Sequence, residues 1–143
     1  MMQPSSRQPA ELLALLRTAP EIMALSVRQP YAHNILFDGK DYENRSWPTQ
    51  YMGWALLHAG TQPYDGGAGE RRRLLGQGMQ FGGIVGAFKI IGCATSSPSP
   101  WFFGPHGFKI GDVLPLKFIP CRGALGFFRA DVDYSQIEAA VAA

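Results

Sequence analysis

The side chains of this 143-residue chain that could do chemistry are concentrated in residues 24–47, which read ALSVRQPYAHNILFDGKDYENRSW. Lys40, Glu43 and Arg45 stand there among aliphatic residues. In an extended chain successive side chains alternate between faces, so Glu43 and Arg45 share a face and form an oriented polar pair. In a cavity such a pair could hold a ligand. On spacing alone, a surface ion-pair set on an edge strand is the preferred interpretation, and such sets add little stability.

Local signals predict the elements that position these residues. Ala24–Val27 is short and β-prone and predicts a strand. Pro30 suits the first position of a following helix, where its missing N–H costs nothing. Gly39 suits a left-handed residue just after that helix. Residues 41–47 are then predicted to be extended, because Pro48 disfavours helix before it.

Apolar patterning and the positions of glycine and proline predict the remaining scaffold. The predicted helices are 9–17, 70–75 and 135–142; the predicted strands are 53–60, 81–93, 113–119 and 124–130, with a turn at 111–112. Glycines inside the 81–93 strand are typical of the bulges that a small barrel needs. Short strands with few helices predict one α+β domain, a small mixed β-barrel with short flanking helices. The leucines of the first helix need a partner surface, and packing in cis is favoured over a dimer contact.

The charge distribution is more informative than the net charge of +2. Residues 22–130 hold eleven Lys and Arg against six Asp and Glu, a local charge of +5, and acidic residues near the C-terminus offset it. A moderately basic domain is compatible with phosphate-bearing partners. The Arg71–Arg73 run is most simply a solvated face, and it is the first place to seek phosphate contacts outside a cleft if RNA binds.

Other features exclude several classes of protein. No apolar run approaches the about 20 residues that span a bilayer, and the first residues lack the pattern of a signal peptide. We therefore expect a cytoplasmic protein with no membrane partner. Cys93 and Cys121 are solitary and lie in apolar segments, which favours small core residues over a metal site. No metal and no cofactor is predicted.

Five segments in series carry a resemblance to a known family. The first is Ser26–Tyr31 (SVRQPY) with Gly39-Lys40 and Glu43–Trp47 (ENRSW); the others are GWALLHAG, GGIVGAFKII, WFFGPHGF and PCRGALGFFR. Together they resemble the ASCH domain family, relatives of the PUA RNA-binding domain, over about residues 22–130. The resemblance implies a PUA-like mixed β-barrel. Residues 1–21 would then be an N-terminal extension with a short helix, and 131–143 a C-terminal helical tail.

The resemblance also implies a site. Family members place the positions of Lys40, Glu43 and Arg45 in a central cleft, which reverses the preference for a surface ion-pair set. There Arg45 would grip a phosphate or a base edge, Glu43 would accept from an exocyclic amine, and Lys40 would contact phosphate. Arg28 and Gln29 would face the same cleft beside a helix N-terminus, which favours anions. The implied function is binding of RNA or a nucleotide.

Aromatic residues extend this prediction. Tyr31, Trp47 and Trp101 are candidate platforms for stacking an unpaired base, although filling the core is at least as good an explanation for each. Trp101 lies in an aromatic-rich loop, residues 96–108, which would be a lid over the cleft or a plug at one barrel end. His58 is interpreted first as a hydrogen-bonded core histidine, and a ligand contact is the minority interpretation.

Enzymatic activity is the alternative. Some relatives in this fold are amidohydrolases that deacetylate acetylcytidine, and others are reported as ribonucleases. The amidohydrolases share G-x-K-x-x-T-x-R, to which Lys40 and Arg45 correspond, while Glu43 stands in place of the threonine. A later catalytic glutamate has no assured counterpart. Lys40 and Glu43 would be catalytic only if the protein is an enzyme, and the sequence supports a binding pocket better. The oligomeric state is left open.

Overall fold

The computed structural model describes residues 9–19 and 21–140. Over these residues the chain forms three α-helices, six β-strands and one 3-10 helix. The helices are α1 (Pro9–Thr18), α2 (Tyr31–Phe37) and α3 (Gly67–Gly76), and the 3-10 helix is Tyr134–Gln136. The strands are β1 (Ala24–Val27), β2 (Tyr42–Arg45), β3 (Gly53–Ala59), β4 (Gly83–Ala94), β5 (His106–Pro120) and β6 (Phe127–Phe128). The α+β class is confirmed.

The strands form one mixed sheet in the order β2-β5-β4-β3-β1-β6, curled into a half-barrel. β1 and β3 pair in parallel, and the other neighbouring strands pair antiparallel. The register of β4 against β5 shifts around Gly86 and Gly92, as expected for bulge glycines. A Cβ at Gly86 would lie 2.6 Å from a methyl group of Leu36, so this glycine lets α2 pack closely on the sheet.

Two apolar cores cover the sheet. One holds α1 through Leu12 and Leu16 together with Ile137 near the C-terminus, and the other holds α2 through Ile35. Leu16 is fully buried, and the Tyr134 hydroxyl donates to the backbone of Ile22 at 2.7 Å. The helix near the N-terminus therefore packs in cis, as predicted. Residues 1–8 of the expected extension lie outside the described part of the chain.

Three predicted elements differ from the structure. The expected turn at 111–112 lies inside the continuous strand β5, and the expected strand 124–130 is reduced to β6. The predicted helix 135–142 is instead the 3-10 helix followed by extended chain, with an isolated bridge between Leu116 and Ala139. Backbone pairing with β5 overrides the helix preference of the alanines there, and residues 141–142 lie outside the described range.

The cysteines and the helices give two further results. Cys93 is exposed, against the expectation of a core residue, because it lies near the end of β4 where burial alternates; Cys121 is half-buried. Both are free thiols. Within the described residues, no helix combines the length and apolar character needed to cross a membrane.

Candidate functional site

Many polar residues of the segment 26–47 line an open cavity of about 1140 Å³. Its wall is built from the β1–α2 junction, β2, the residues around the end of β3, and two loops at residues 103–105 and 122–126. Seven of the nine predicted ligand-binding residues line it: Arg28, Tyr31, Lys40, Glu43, Arg45, Trp47 and His58. The structure thus gathers most of the predicted site around one space.

Local backbone geometry sets the positions of Lys40, Glu43 and Arg45. Gly39 has φ of 71°, a conformation that favours glycine, and it ends the turn after α2. The chain then reverses into β2, which pairs antiparallel with β5. Glu43 and Arg45 project from the same face of β2, as the alternation predicts, and Lys40 reaches them from the preceding turn.

Glu43 bridges the two cations of this cluster. Its Oε1 lies 3.4 Å from Lys40 Nζ, and its Oε2 lies 2.9 Å from Arg45 Nη2 and 3.0 Å from Arg45 Nε. Lys40 Nζ also donates to the backbone oxygen of Tyr42, and Arg45 Nη2 donates to that of Ser26 at 2.6 Å. Among the described residues, Arg45 Nη1 has no hydrogen-bond partner. The cluster therefore holds the guanidinium of Arg45 in a fixed position and leaves Nη1 available to a ligand.

Burial determines the electrostatics of the cluster. Lys40 is 3% exposed and Glu43 7% exposed. Desolvation lowers the pKa of Lys40, and the attraction and hydrogen bond of Glu43 oppose that shift. Arg45 is more accessible, with 20% of its side chain exposed. Arg45 is consequently the member of the cluster best placed to touch a ligand, while Lys40 neutralises and orients Glu43.

The cavity as a whole is cationic. Arg28 and Arg122 are exposed, and within the described part of the chain neither forms an ion pair. With Lys40 and Arg45 they make four cationic side chains against the carboxylate of Glu43, a formal charge of +3. A concave wall with one sign of charge concentrates anions. Phosphate, carboxylate and sulfate groups are the chemistry this surface favours.

Aromatic side chains divide into a packed set and an open set. Trp47 packs edge-on against Phe108 at 5.2 Å, which accords with its core interpretation. Tyr64 and Phe103, in contrast, are 60% and 73% exposed at the cavity wall, and Leu125 beside them is 99% exposed. These apolar side chains offer open faces to a planar ligand. None of the three was predicted, although Phe103 belongs to the aromatic loop that the sequence marks out.

Two predicted residues lie outside the wall. Gln29 is 2% exposed; its Oε1 accepts from the backbone of His33 at 2.9 Å, and its Nε2 donates to the backbone of Gln80 at 3.0 Å, so it holds α2 in place. Trp101 is bonded through its backbone: its oxygen accepts from Asn44 Nδ2 at 3.0 Å and its N–H donates to Ser99 Oγ at 3.1 Å. Since neither side chain lines the cavity, Gln29 is a scaffold residue and Phe103 takes the place expected of Trp101.

Asn44 ties the aromatic loop to β2. Besides its bond to Trp101, its Oδ1 accepts from the backbone N–H of Phe103 at 2.8 Å and of Gly104 at 3.0 Å. One side chain thus holds three positions of the loop, residues 101, 103 and 104. Residues 103–105 form part of the cavity wall, so the loop shapes the opening and leaves it accessible.

His58 is a hydrogen-bonded core histidine, as predicted first. It is 1% exposed, its Nδ1 lies 2.9 Å from Ser26 Oγ, and its Nε2 lies 2.7 Å from the backbone oxygen of Cys121. Because a carbonyl oxygen can only accept, Nε2 carries a hydrogen. The ring joins β3 to the segment that leads into the 122–126 loop, and it also forms part of the cavity wall.

No protein-family model matches the chain, and no curated protein matches its sequence. Among residues 9–19 and 21–140, no group of three or more His, Cys, Asp and Glu side chains could hold a metal ion.

Proposed function

We propose that this protein is an ASCH-family domain with a PUA-like fold that binds RNA or a nucleotide in the cavity. The observation that carries the proposal is the convergence of Lys40, Glu43 and Arg45 on one open cavity with a formal charge of +3. On the exterior of the protein the same residues would be an ordinary ion-pair set.

The cations serve the anionic part of the ligand. Arg28 and Arg122 are exposed and hold phosphate oxygens at the mouth, where guanidinium groups can bond two oxygens at once. Arg45, already fixed by Glu43 and by the backbone of Ser26, presents its remaining Nη1 deeper in the site. A guanidinium that is ordered before binding loses little entropy when the ligand arrives.

Glu43 and the open aromatics serve the base. Each carboxylate oxygen can accept more than one hydrogen bond, so Glu43 can take an exocyclic amine while it keeps Lys40 and Arg45. Phe103 and Tyr64 stack the base or its neighbour, a contact worth about 1–3 kcal/mol per base. Lys40 acts by orienting Glu43, because its ammonium is too buried to reach a phosphate freely.

Fluorescence anisotropy of a short labelled single-stranded RNA tests the proposal, with the DNA of the same sequence and a nucleoside monophosphate as competitors. The double substitution Arg28→Gln and Arg122→Gln should weaken binding and reduce the slope of log affinity against log salt by about 1.4, since each single-strand phosphate contact contributes about 0.7.

Arg129→Gln is the matched control, because Arg129 is also exposed but lies against Tyr134, outside the cavity. It should leave affinity and slope nearly unchanged. Absence of binding at low salt would refute the proposal, and so would equal losses in the double variant and in the control.

The alternative function is hydrolysis of a modified nucleoside of the acetylcytidine type, or of RNA. Burial lowers the pKa of Lys40, which favours this function because more of the amine is then unprotonated near neutral pH and able to accept a proton. Incubation with acetylcytidine and with RNA, beside Lys40→Ala, tests this function. Turnover that survives Lys40→Ala unchanged would exclude Lys40 as the base.

A further inference from the structure

A serine–histidine pair lies in the cavity wall beside the Lys40–Glu43–Arg45 cluster. Ser26 and His58 are register partners on the parallel strands β1 and β3, and Ser26 Oγ is 2.9 Å from His58 Nδ1. The opposite ring nitrogen, Nε2, donates to the backbone oxygen of Cys121 at 2.7 Å. In the neutral ring Nδ1 then bears the lone pair, and the hydroxyl of Ser26 donates to it.

The hydroxyl is accessible although the imidazole is not. His58 is 1% exposed, whereas Ser26 is half-buried and lines the cavity. Glycines flank Ser26 Oγ on two sides: a Cβ would lie 3.6 Å from it at Gly60 and 3.4 Å from it at Gly123. A Cβ at Gly123 would also lie 2.8 Å from His58 Cε1. A side chain at Gly123 would therefore press on the imidazole, and glycine there lets the loop pass close to the pair.

The loop of residues 122–126 passes beside this pair at Gly123, where a Cβ would lie 3.4 Å from Ser26 Oγ. The 122–126 loop follows directly after Cys121, and the backbone N–H groups of residues 123–126 make no hydrogen bond to any described residue. All four residues line the cavity. Unused amides on a wall beside a nucleophile are the groups that stabilise a tetrahedral intermediate in acyl transfer.

We propose that Ser26 is a nucleophile and His58 its general base, and that the pair accepts an acyl group from a carboxylic ester or amide bound in the cavity. The cationic wall selects substrates whose alcohol or amine portion carries a phosphate, such as an acylated nucleotide. That choice of carrier rests on the proposed nucleotide-binding function; the reactivity of the pair does not.

The reaction balances with water as the only co-reactant. Ser26 Oγ forms a bond to the carbonyl carbon while its proton passes to His58 Nδ1. The tetrahedral intermediate then expels the alcohol or amine, which takes that proton from Nδ1. Water, deprotonated by the same nitrogen, releases the acid from Ser26 and returns the proton to the serine. The bond from Nε2 to Cys121 keeps Nδ1 aimed at the hydroxyl throughout.

A fluorophosphonate probe tests the nucleophile on the intact protein. Reaction forms a bond from Ser26 Oγ to phosphorus and expels fluoride, and peptide mapping by mass spectrometry locates the label. We expect the label on Ser26 in the unaltered protein, none at that peptide in Ser26→Ala, and a rate about 10²–10⁴-fold lower in His58→Gln. Ser46→Ala is the matched control: Ser46 lines the same cavity without a bond to a histidine among the described residues, and its loss should leave the rate unchanged.

The outcomes separate this inference from the nucleotide-binding proposal. RNA binding without any label on Ser26 would show that the pair is only structural and would overturn the inference alone. Label on Ser26 that a saturating nucleoside monophosphate suppresses supports both proposals. Label on Ser26 in a protein that binds neither RNA nor nucleotide supports the nucleophile and overturns the choice of carrier. Peptide mapping of the unaltered protein keeps the inference falsifiable if His58→Gln fails to fold.

Discussion

Neutralising Glu43 tests the organisation of the site most directly. Glu43→Gln keeps the shape of the side chain and removes the charge that faces Lys40 Nζ at 3.4 Å and Arg45 Nη2 at 2.9 Å. Lys40 is 3% exposed, so water cannot solvate its ammonium group while the side chain keeps its position. Removing one partner of a buried ion pair typically costs about 3–5 kcal/mol, because the other charge stays buried and uncompensated.

The free energy of deprotonating Lys40 sets an upper limit to this loss of stability. The variant can fold with neutral Lys40, which costs the removal of one proton from an amine whose unfolded pKa is about 10.4; at about pH 7 this is about 4.6 kcal/mol. The limit and the typical cost agree. We therefore expect Glu43→Gln to lower the free energy of unfolding by about 3–4 kcal/mol, measured by urea denaturation followed by circular dichroism.

The pH dependence of the stability of Glu43→Gln tests whether the buried charge of Lys40 causes the loss. Burial lowers the pKa of Lys40 in the folded protein, and Glu43→Gln removes the main opposing attraction. Between the folded and unfolded pKa values the unfolded chain binds the extra proton, so stability rises with pH in that window. In that window the stability of the variant should rise with pH by at most about 1.4 kcal/mol per pH unit.

Glu70→Gln is the matched control. Glu70 pairs with Arg73 at 2.6 Å, a shorter contact than either in the cluster, but on the exposed surface of α3. Its loss should leave the denaturation midpoint nearly unchanged, because water solvates the remaining charge. A cost below about 1 kcal/mol for Glu43→Gln, with no recovery at high pH, would refute the claim that this carboxylate neutralises a buried ammonium.

Three further predictions follow from the geometry. Phe103→Ala should weaken RNA binding by about 1–3 kcal/mol, whereas Trp101→Ala should not, since only Phe103 lines the cavity; equal losses in anisotropy titrations would contradict this. Asn44→Ala removes three hydrogen bonds to the loop and should speed hydrogen exchange of the Phe103 and Gly104 amides about tenfold or more; unchanged exchange would show that the loop is held otherwise. Leu16→Ala should cost about 2–5 kcal/mol in urea denaturation, because Leu16 is fully buried; a negligible cost would mean that α1 is dispensable to the core.

The candidate site could be predicted from sequence to the extent that its members are close in the chain. Glu43 and Arg45 share a face because strand side chains alternate, and Gly39 takes its left-handed conformation because only glycine does so cheaply. Lys40 comes directly after that glycine. These are local consequences of chain geometry, so the cluster of Lys40, Glu43 and Arg45 appears as expected.

Elements that depend on long-range pairing were harder to predict. The helix expected at 135–142 fails because the backbone there pairs with β5, and no local signal announces that partner. The turn expected at 111–112 is instead an irregularity inside β5, because Ile110 and Val113 on either side of it both pair with β4 and keep the strand running through. In both places backbone hydrogen bonds to a distant segment outweigh a weak local preference.

The sequence by itself determined the α+β class, the helices α1 and α2, the glycines at the irregularities of β4 and the cluster of Lys40, Glu43 and Arg45, since each follows from residues that are close together in the chain. Only the tertiary structure decided what surrounds that cluster. It brought Arg122, Leu125, Tyr64 and Phe103 to one wall, excluded Gln29 and Trp101, and set Ser26 against His58. The physical reason is that a cavity wall is an arrangement of loops from distant parts of the chain, and their meeting is set by sheet curvature and strand order rather than by neighbouring residues.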